Sequence, residues 1–171
     1  MPMNEPAEHA LRGEIAAFLD SQHVVSLATL VDGAAHAANV MYAVEDLSLY
    51  WTSHPGSRHS AAIGRDPRVA ATVAPDYTDF RFIRGVQIVG RARRLEAAEA
   101  ARARELLQRR FSFLRDIGTI PAAVRTALEK SAYYRLEPET ITLIDNAKGF
   151  GNRQTLSLSG PSPAAPPDET A

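Results

Sequence analysis

The chain has 171 residues, 45% hydrophobic and 23% charged, a globular profile with enough length to bury a core. A formal net charge of −1 leaves no broad field to draw it to nucleic acid or anionic lipid. With no cysteine, disulfides, iron–sulfur clusters, thiolate zinc sites and cysteine nucleophiles are excluded.

The polar, acidic start, Met1 to Glu8, has no basic region followed by an apolar core, and no apolar run approaches the roughly 20 residues that span a bilayer. The sequence therefore predicts a cytoplasmic protein with neither a membrane nor a nucleic-acid partner. Its basic residues are almost all arginine, with Lys130 and Lys148 the only lysines. Arginine is the better bidentate partner for carboxylate and phosphate; a compositional bias accounts for the same count.

Leu11, Ile15, Phe18 and Leu19 recur at helical spacing within Pro6 to Asp20, and Glu5 and Glu8 lie where a helix start favours negative charge. His23 to Val31 reads as a strand, Asp32-Gly33 as a two-residue hairpin turn, and Ala34 to Val44 as the returning strand. Glu45-Asp46 predicts a second tight turn before Leu47 to Ser53, where Leu47, Leu49 and Trp51 share one face and Ser48, Tyr50 and Thr52 the other. His54-Pro55-Gly56 breaks the chain, Ser57 caps a short helix over Arg58 to Ile63, and Gly64 and Pro67 end it. Arg68 to Ala74 and Phe80 to Leu95 predict two more strands, Ala97 to Phe111 a strong helix and Pro121 to Ser131 another. Tyr133 to Leu136, Thr140 to Asp145 and Gln154 to Leu158 are the last strand candidates. From Ser159 the composition turns to Gly, Pro, Ser and Ala, which predicts a disordered tail (159–171) after a single domain (1–158).

Hairpin-linked strands with helices at the ends are an α+β pattern, built around an antiparallel β-barrel. The first strand is apolar on both faces, with Val25, Leu27 and Val31 on one side and Val24, Ala28 and Leu30 on the other. Antiparallel strands normally wet one face, so helices or a second subunit must cover the outside; a homodimer is the economical expectation.

Three segments could carry chemistry. In Tyr50 to His59 a strand delivers hydroxyls to a Pro-Gly turn and a helix begins at Ser57, so unpaired amides with Arg58 and His59 could seat an anion. An ordinary capped helix with a solvated arginine explains the same residues. Arg84 falls on the face of Phe80, Phe82, Val86 and Ile88, where a guanidinium needs a fixed anion, a salt bridge to Asp46, Asp76 or Asp79, or a bulge at Gly85 that turns it outward. Asp145 to Gly151 sets two glycines around Phe150, either for close approach of another group or as a plain turn. The arginines Arg102, Arg104, Arg109 and Arg110 alternate with Glu96, Glu99 and Glu105 and read as a solvated face of ion pairs. No dinucleotide fingerprint, Walker loop or Gly-x-Ser-x-Gly elbow occurs, and His54 and His59 have no third ligand near them, so no metal site is expected.

The order of these motifs resembles the FMN-binding split-barrel superfamily typified by pyridoxamine 5′-phosphate oxidase, and within it a small uncharacterised bacterial subfamily. The resemblance runs from His23 to about Leu158 and rests on Ala38-Asn39 through Tyr42, Ser57-Arg58-His59, Ile83 to Gln87 with Gly90 and Arg93 to Glu96, and Asp145-Asn146 with Gly149-Phe150-Gly151. It implies a split β-barrel homodimer with FMN in a cleft between subunits and flavin-dependent oxidoreductase activity. Trp51-Thr52 and Ser57-Arg58-His59 would hold the phosphate, and Asn39, Arg84 and Gln87 would line the cleft. His59 stands where the superfamily has lysine, Met41 and Tyr42 where it has a second basic residue, and Gly85 where the oxidase has glutamine. The oxidase's C-terminal Arg-x-His has no counterpart in Asn152-Arg153-Gln154, which argues against vitamin B6 oxidation. Deazaflavin or haem in place of FMN, or a decayed site serving ligand sensing or protein interaction, are the alternatives; no acid or base is singled out.

Overall fold

A computed structural model describes residues 4–158. The predicted disordered tail lies outside the described residues. Asn4 opens helix α1 (Glu5–Ser21) by accepting the Ala7 amide at 3.0 Å, with Glu5 and Glu8 in the first turn. Leu11, Ile15, Phe18 and Leu19 are all buried in the main core. The carbonyls that the helix leaves open at its C-terminus are taken by Arg110, which donates to the backbone oxygens of Leu19, Asp20 and Gln22 and lies 5.6 Å over the Tyr42 ring. Fully buried, Tyr42 donates its hydroxyl to the Leu19 carbonyl at 2.6 Å. Arg110 is thus a half-buried clamp, a correction to the solvated role predicted for it.

Strands β1 (Val24–Val31) and β2 (Ala34–Met41) form the predicted hairpin, its turn residues Asp32 and Gly33 at φ 51° and 80°. The predicted strand Ala34 to Val44 divides at Tyr42, whose ring turns inward while its amide bonds the His23 carbonyl. Strands β3 (Ala43–Glu45) and β4 (Ser48–Ser53) make the second hairpin. Its turn is Asp46-Leu47, both at positive φ, one residue later than predicted, because Leu47 must point into the core.

Helix α2 (Arg58–Arg65) leads to β5 (Arg68–Val73). The predicted strand from Phe80 starts late: Asp79 caps a 3-10 turn over Phe80–Phe82, and β6 runs Arg84–Arg94. Helices α3 (Ala97–Arg110) and α4 (Ala122–Glu129) precede β7 (Ala132–Asp145) and β8 (Arg153–Ser157). Two predicted strands are therefore one, since β7 continues through Pro138. The order is β2-β1-β5-β6-β7-β4-β3, antiparallel throughout, with β8 beside the second half of β7. The fold is an α+β split barrel.

Leu49 and Trp51 of β4 enter the main core with α1 and the inner faces of β1, β5, β6 and β7. Tyr50 faces the other way, into a second cluster under α3 with Leu106, Leu107 and Phe111. Beyond the part that α3 covers, the outer face of β2, β1, β5, β6, the second half of β7 and β8 carries no helix among the described residues. Registers align Asn39, Ser26, Thr72, Gln87, Thr142 and Thr155 across six strands as a polar row, beside a row of Ala37, Ala28, Ala70, Val89, Thr140 and Ser157. Val24, Leu30, Met41 and Val89 stand exposed on this face, Val89 by 53%. Of the two apolar faces predicted for the first strand, one is buried and one is bare.

Pairing along β6 and β7 shifts register between Val89 and Gly90. A Cβ on Gly90 would stand 2.3 Å from the Glu137 carbonyl oxygen, which no neighbouring side chain can relieve. Gly90→Ala is expected to lower unfolding stability by more than about 2 kcal/mol, the scale of forced overpacking. Gly13→Ala, mid-helix with open space around it, should instead raise it by about 0.5–1 kcal/mol. Denaturant melts of both variants check the pair.

Candidate functional site

Side chains alternate across β4, so Thr52 and Ser53 point to opposite sides of the strand. Ser53 faces the start of α2 and meets His59, whose Nε2 lies 2.8 Å from its hydroxyl and 3.2 Å from that of Ser57. Ser57 is the N-cap: its hydroxyl oxygen accepts the Ser60 amide and donates to the Ser60 hydroxyl. The Ser57 carbonyl takes the Ala61 amide, leaving the amides of Arg58 and His59 without partners among the described residues. Arg58 is exposed and pairs with no described carboxylate. Burial, with a smaller contribution from the nearby His36, holds the His59 imidazole below the ordinary histidine range. Near neutral pH it is uncharged, so the site's positive charge is Arg58 together with the helix start.

The remaining predicted residues lie apart from this cluster. Thr52 donates to the Ala132 carbonyl at 3.1 Å and faces α3. Trp51 is 1% exposed and stacks on Tyr134 at 5.7 Å, a core residue with no surface for a ligand. Asn39 and Gln87 share the polar row of the bare face, where Asn39 accepts the Ser26 hydroxyl at 2.7 Å. Arg84 contacts Asp145 at 3.4 Å and Glu14 at 3.8 Å and covers the Phe18 ring. It is held by carboxylates, though not by Asp46, Asp76 or Asp79, because the 3-10 turn redirects the loop that carries the last two. A Cβ on Gly85 already sits 3.0 Å from the Val73 carbonyl, so a glutamine side chain has no room there without a shift. The Asp145 to Gly151 loop is a plain turn: Asn146 accepts the Gly151 amide, Gly149 and Gly151 take positive φ, and neither is closely approached. Its Phe150 is 84% exposed and meets Phe80 edge-on.

Sequence reasoning missed a cavity between α3, α4 and the β4–β7 edge, where Thr52, Arg104, Arg125 and Tyr133 converge. Among the described residues no three His, Cys, Asp or Glu side chains cluster for a metal, and no helix is long and apolar enough to cross a membrane.

The sequence model of the pyridoxamine 5′-phosphate oxidase family matches residues 12–144. The chain belongs to that family. Among relatives, the UPF0306 protein YhbP of Escherichia coli O157:H7 is 30% identical over 141 residues, 81% of this chain and 88% of YhbP. A haem-binding protein of Mycobacterium smegmatis shares the fold at a TM-score of 0.65 and 23% identity, over 92% of this chain and 60% of its own. An FAD-binding protein of Mesorhizobium loti does so at 0.58 and 23%, over 77% and 89%.

Because the folded protein disfavours protonated His59, the unfolded chain takes up that proton first as pH falls through the ordinary histidine range. Stability is therefore unaffected above that range and lost below it. His59→Gln should flatten the acid limb of a melting-temperature profile between about pH 7 and 5. An acid limb identical to that of the wild type would assign the loss to other groups.

Proposed function

We propose that this family member is a homodimeric flavin-binding split barrel that takes FMN and acts as an oxidoreductase. The bare sheet face carries the reading. Six strands present alanine, threonine and serine with exposed Val24, Leu30, Met41 and Val89, a partly apolar surface that suits a second copy of itself. Asn39 and Gln87 stand on that face, so a cofactor held at the edge of two paired faces would meet them. The haem- and FAD-binding proteins that share the fold support a ligand of this general kind.

The residues at α2 fit a phosphate monoester through one free guanidinium and one open helix start. Arg58 and the amides of Arg58 and His59 would hold it, with neutral His59 positioned by Ser53 and Ser57 as a hydrogen-bond partner. Lacking a second fixed cation at Met41, the seat should bind more weakly than one with two. When bound, the isoalloxazine supplies the hydride chemistry; this chain supplies binding, orientation and exclusion of water. Arg84 and Trp51 are engaged in the fold and are assigned no contact.

Arg58→Ala should weaken FMN binding by about 1.5–3 kcal/mol, the scale of a charge-assisted contact, and leave the melting temperature unchanged. Titration followed by flavin fluorescence measures it. The absorbance spectrum of purified protein separates the cofactors, since an oxidised flavin bleaches with dithionite and haem shows a Soret band. Colourless protein that takes up no added FMN would sink the flavin reading. Ala70→Arg, in the centre of the bare face, should convert dimers to monomers in sedimentation velocity; a wild-type monomer would remove the subunit cleft.

A further inference from the structure

The cavity beneath α4 has a volume of about 280 Å³. Its apolar wall is Leu107, Leu114 and Leu128, and its polar groups are Arg104, Arg125, Gln108, Glu129 and Thr52. Arg104 lies 6.0 Å over the Tyr133 ring. Nearby, Arg93 meets Glu99 and Arg102 meets Glu45, while Arg109 and Arg115 pair with no described carboxylate but lie outside the cavity. Arg104 and Arg125 pair with no described carboxylate, although Glu129 lines the same space. Two guanidiniums that share one concave, partly apolar site repel each other, and a shared anion reverses the sign of that interaction.

We propose that this cavity is a second ligand site, which binds a small organic anion whose carboxylate or phosphate meets Arg104 and Arg125 and whose apolar body lies against Tyr133 and Leu128. The volume falls just under the roughly 300–1,000 Å³ of drug-sized pockets, which favours a compact metabolite over a nucleotide. Arg104 and Tyr133 form one half of the clamp from α3 and β7, and Arg125 and Leu128 form the other from α4. No residue of α4 is buried, so the helix is free to adjust over a ligand without unpacking a core. Thr52 faces this cavity while Ser57 and His59 lie across β4. The site is thus separate from the phosphate seat at α2 and does not rest on the flavin reading.

The test uses the full chain with phenyl phosphate and benzoate as probes and phenol as the uncharged control, followed by calorimetry and by NOEs from probe ring protons to leucine methyls. The expected result is saturable binding of at least one anion, with NOEs to Leu128; which anion binds tells phosphate from carboxylate. The double variant Arg104→Gln/Arg125→Gln should weaken it by about tenfold or more, the effect of losing charge-assisted contacts. Arg109→Gln, on the same helix but outside the cavity, should not. The NOE result stands even if the double variant fails to fold. Absence of saturable binding, NOEs elsewhere, or displacement of the probe by added FMN would overturn the proposal. Failure of FMN to bind would not affect it.

Discussion

One strand serves three neighbours, and the rest of the molecule is arranged around it. A strand has two edges, yet β7 pairs with β6 from Tyr134 to Asp145, with β4 at residues 132–136 and with β8 at residues 140–144. Changing partners half-way along an edge requires a bend. Pro138 has no amide to contribute to a ladder at that point, and Gly90 opposite carries no Cβ, so the Glu137 carbonyl can close in. Any side chain at Gly90 would push β6 from β7 and pull the two halves of the barrel apart. The same pairing stacks Trp51 on Tyr134 and divides β4 between two compartments, which decides what each of its residues can reach.

Elements whose signals are local were legible in the sequence. Helix α1 follows from four apolar residues at helical spacing and an acidic first turn, and the β1–β2 hairpin from Asp32-Gly33. The alternating faces of β4 follow from Leu49 and Trp51 against Tyr50 and Thr52. Where a local signal had a competitor, the reading failed. Phe80 to Phe82 has strand-like composition, but the Asp79 side chain caps a 3-10 turn there. Pro138 reads as the end of a strand because its tolerance depends on Gly90, far away in the chain. The apolar second face of β1 is visible in sequence, whereas its lack of a helical cover is visible only once the sheet is assembled.

The same division holds for the site. Ser57, Arg58 and His59 are neighbours in sequence and stay together on α2. Thr52 precedes them by only five positions and still faces away, because one step along a strand reverses the side chain. The partners of Arg84, Glu14 and Asp145, come from opposite ends of the chain and have no sequence signature. Arg104 and Arg125 sit on different helices joined by irregular turns. Arg104 reads as one more charge on a solvated face until its lack of a carboxylate becomes visible in three dimensions.

The late place of β7 in the chain also bears on how the protein is made. On a ribosome, β1 to β6 emerge while the hairpin of β3 and β4 has no sheet to join, since among the described residues β4 pairs only with β3 and β7. Until the chain has been synthesised through Asp145, both β4 and β6 present open edges, the kind that captures strands of other molecules. Closure then joins Leu49 to Leu136 across about half of the polypeptide, the kind of non-local pairing that forms slowly.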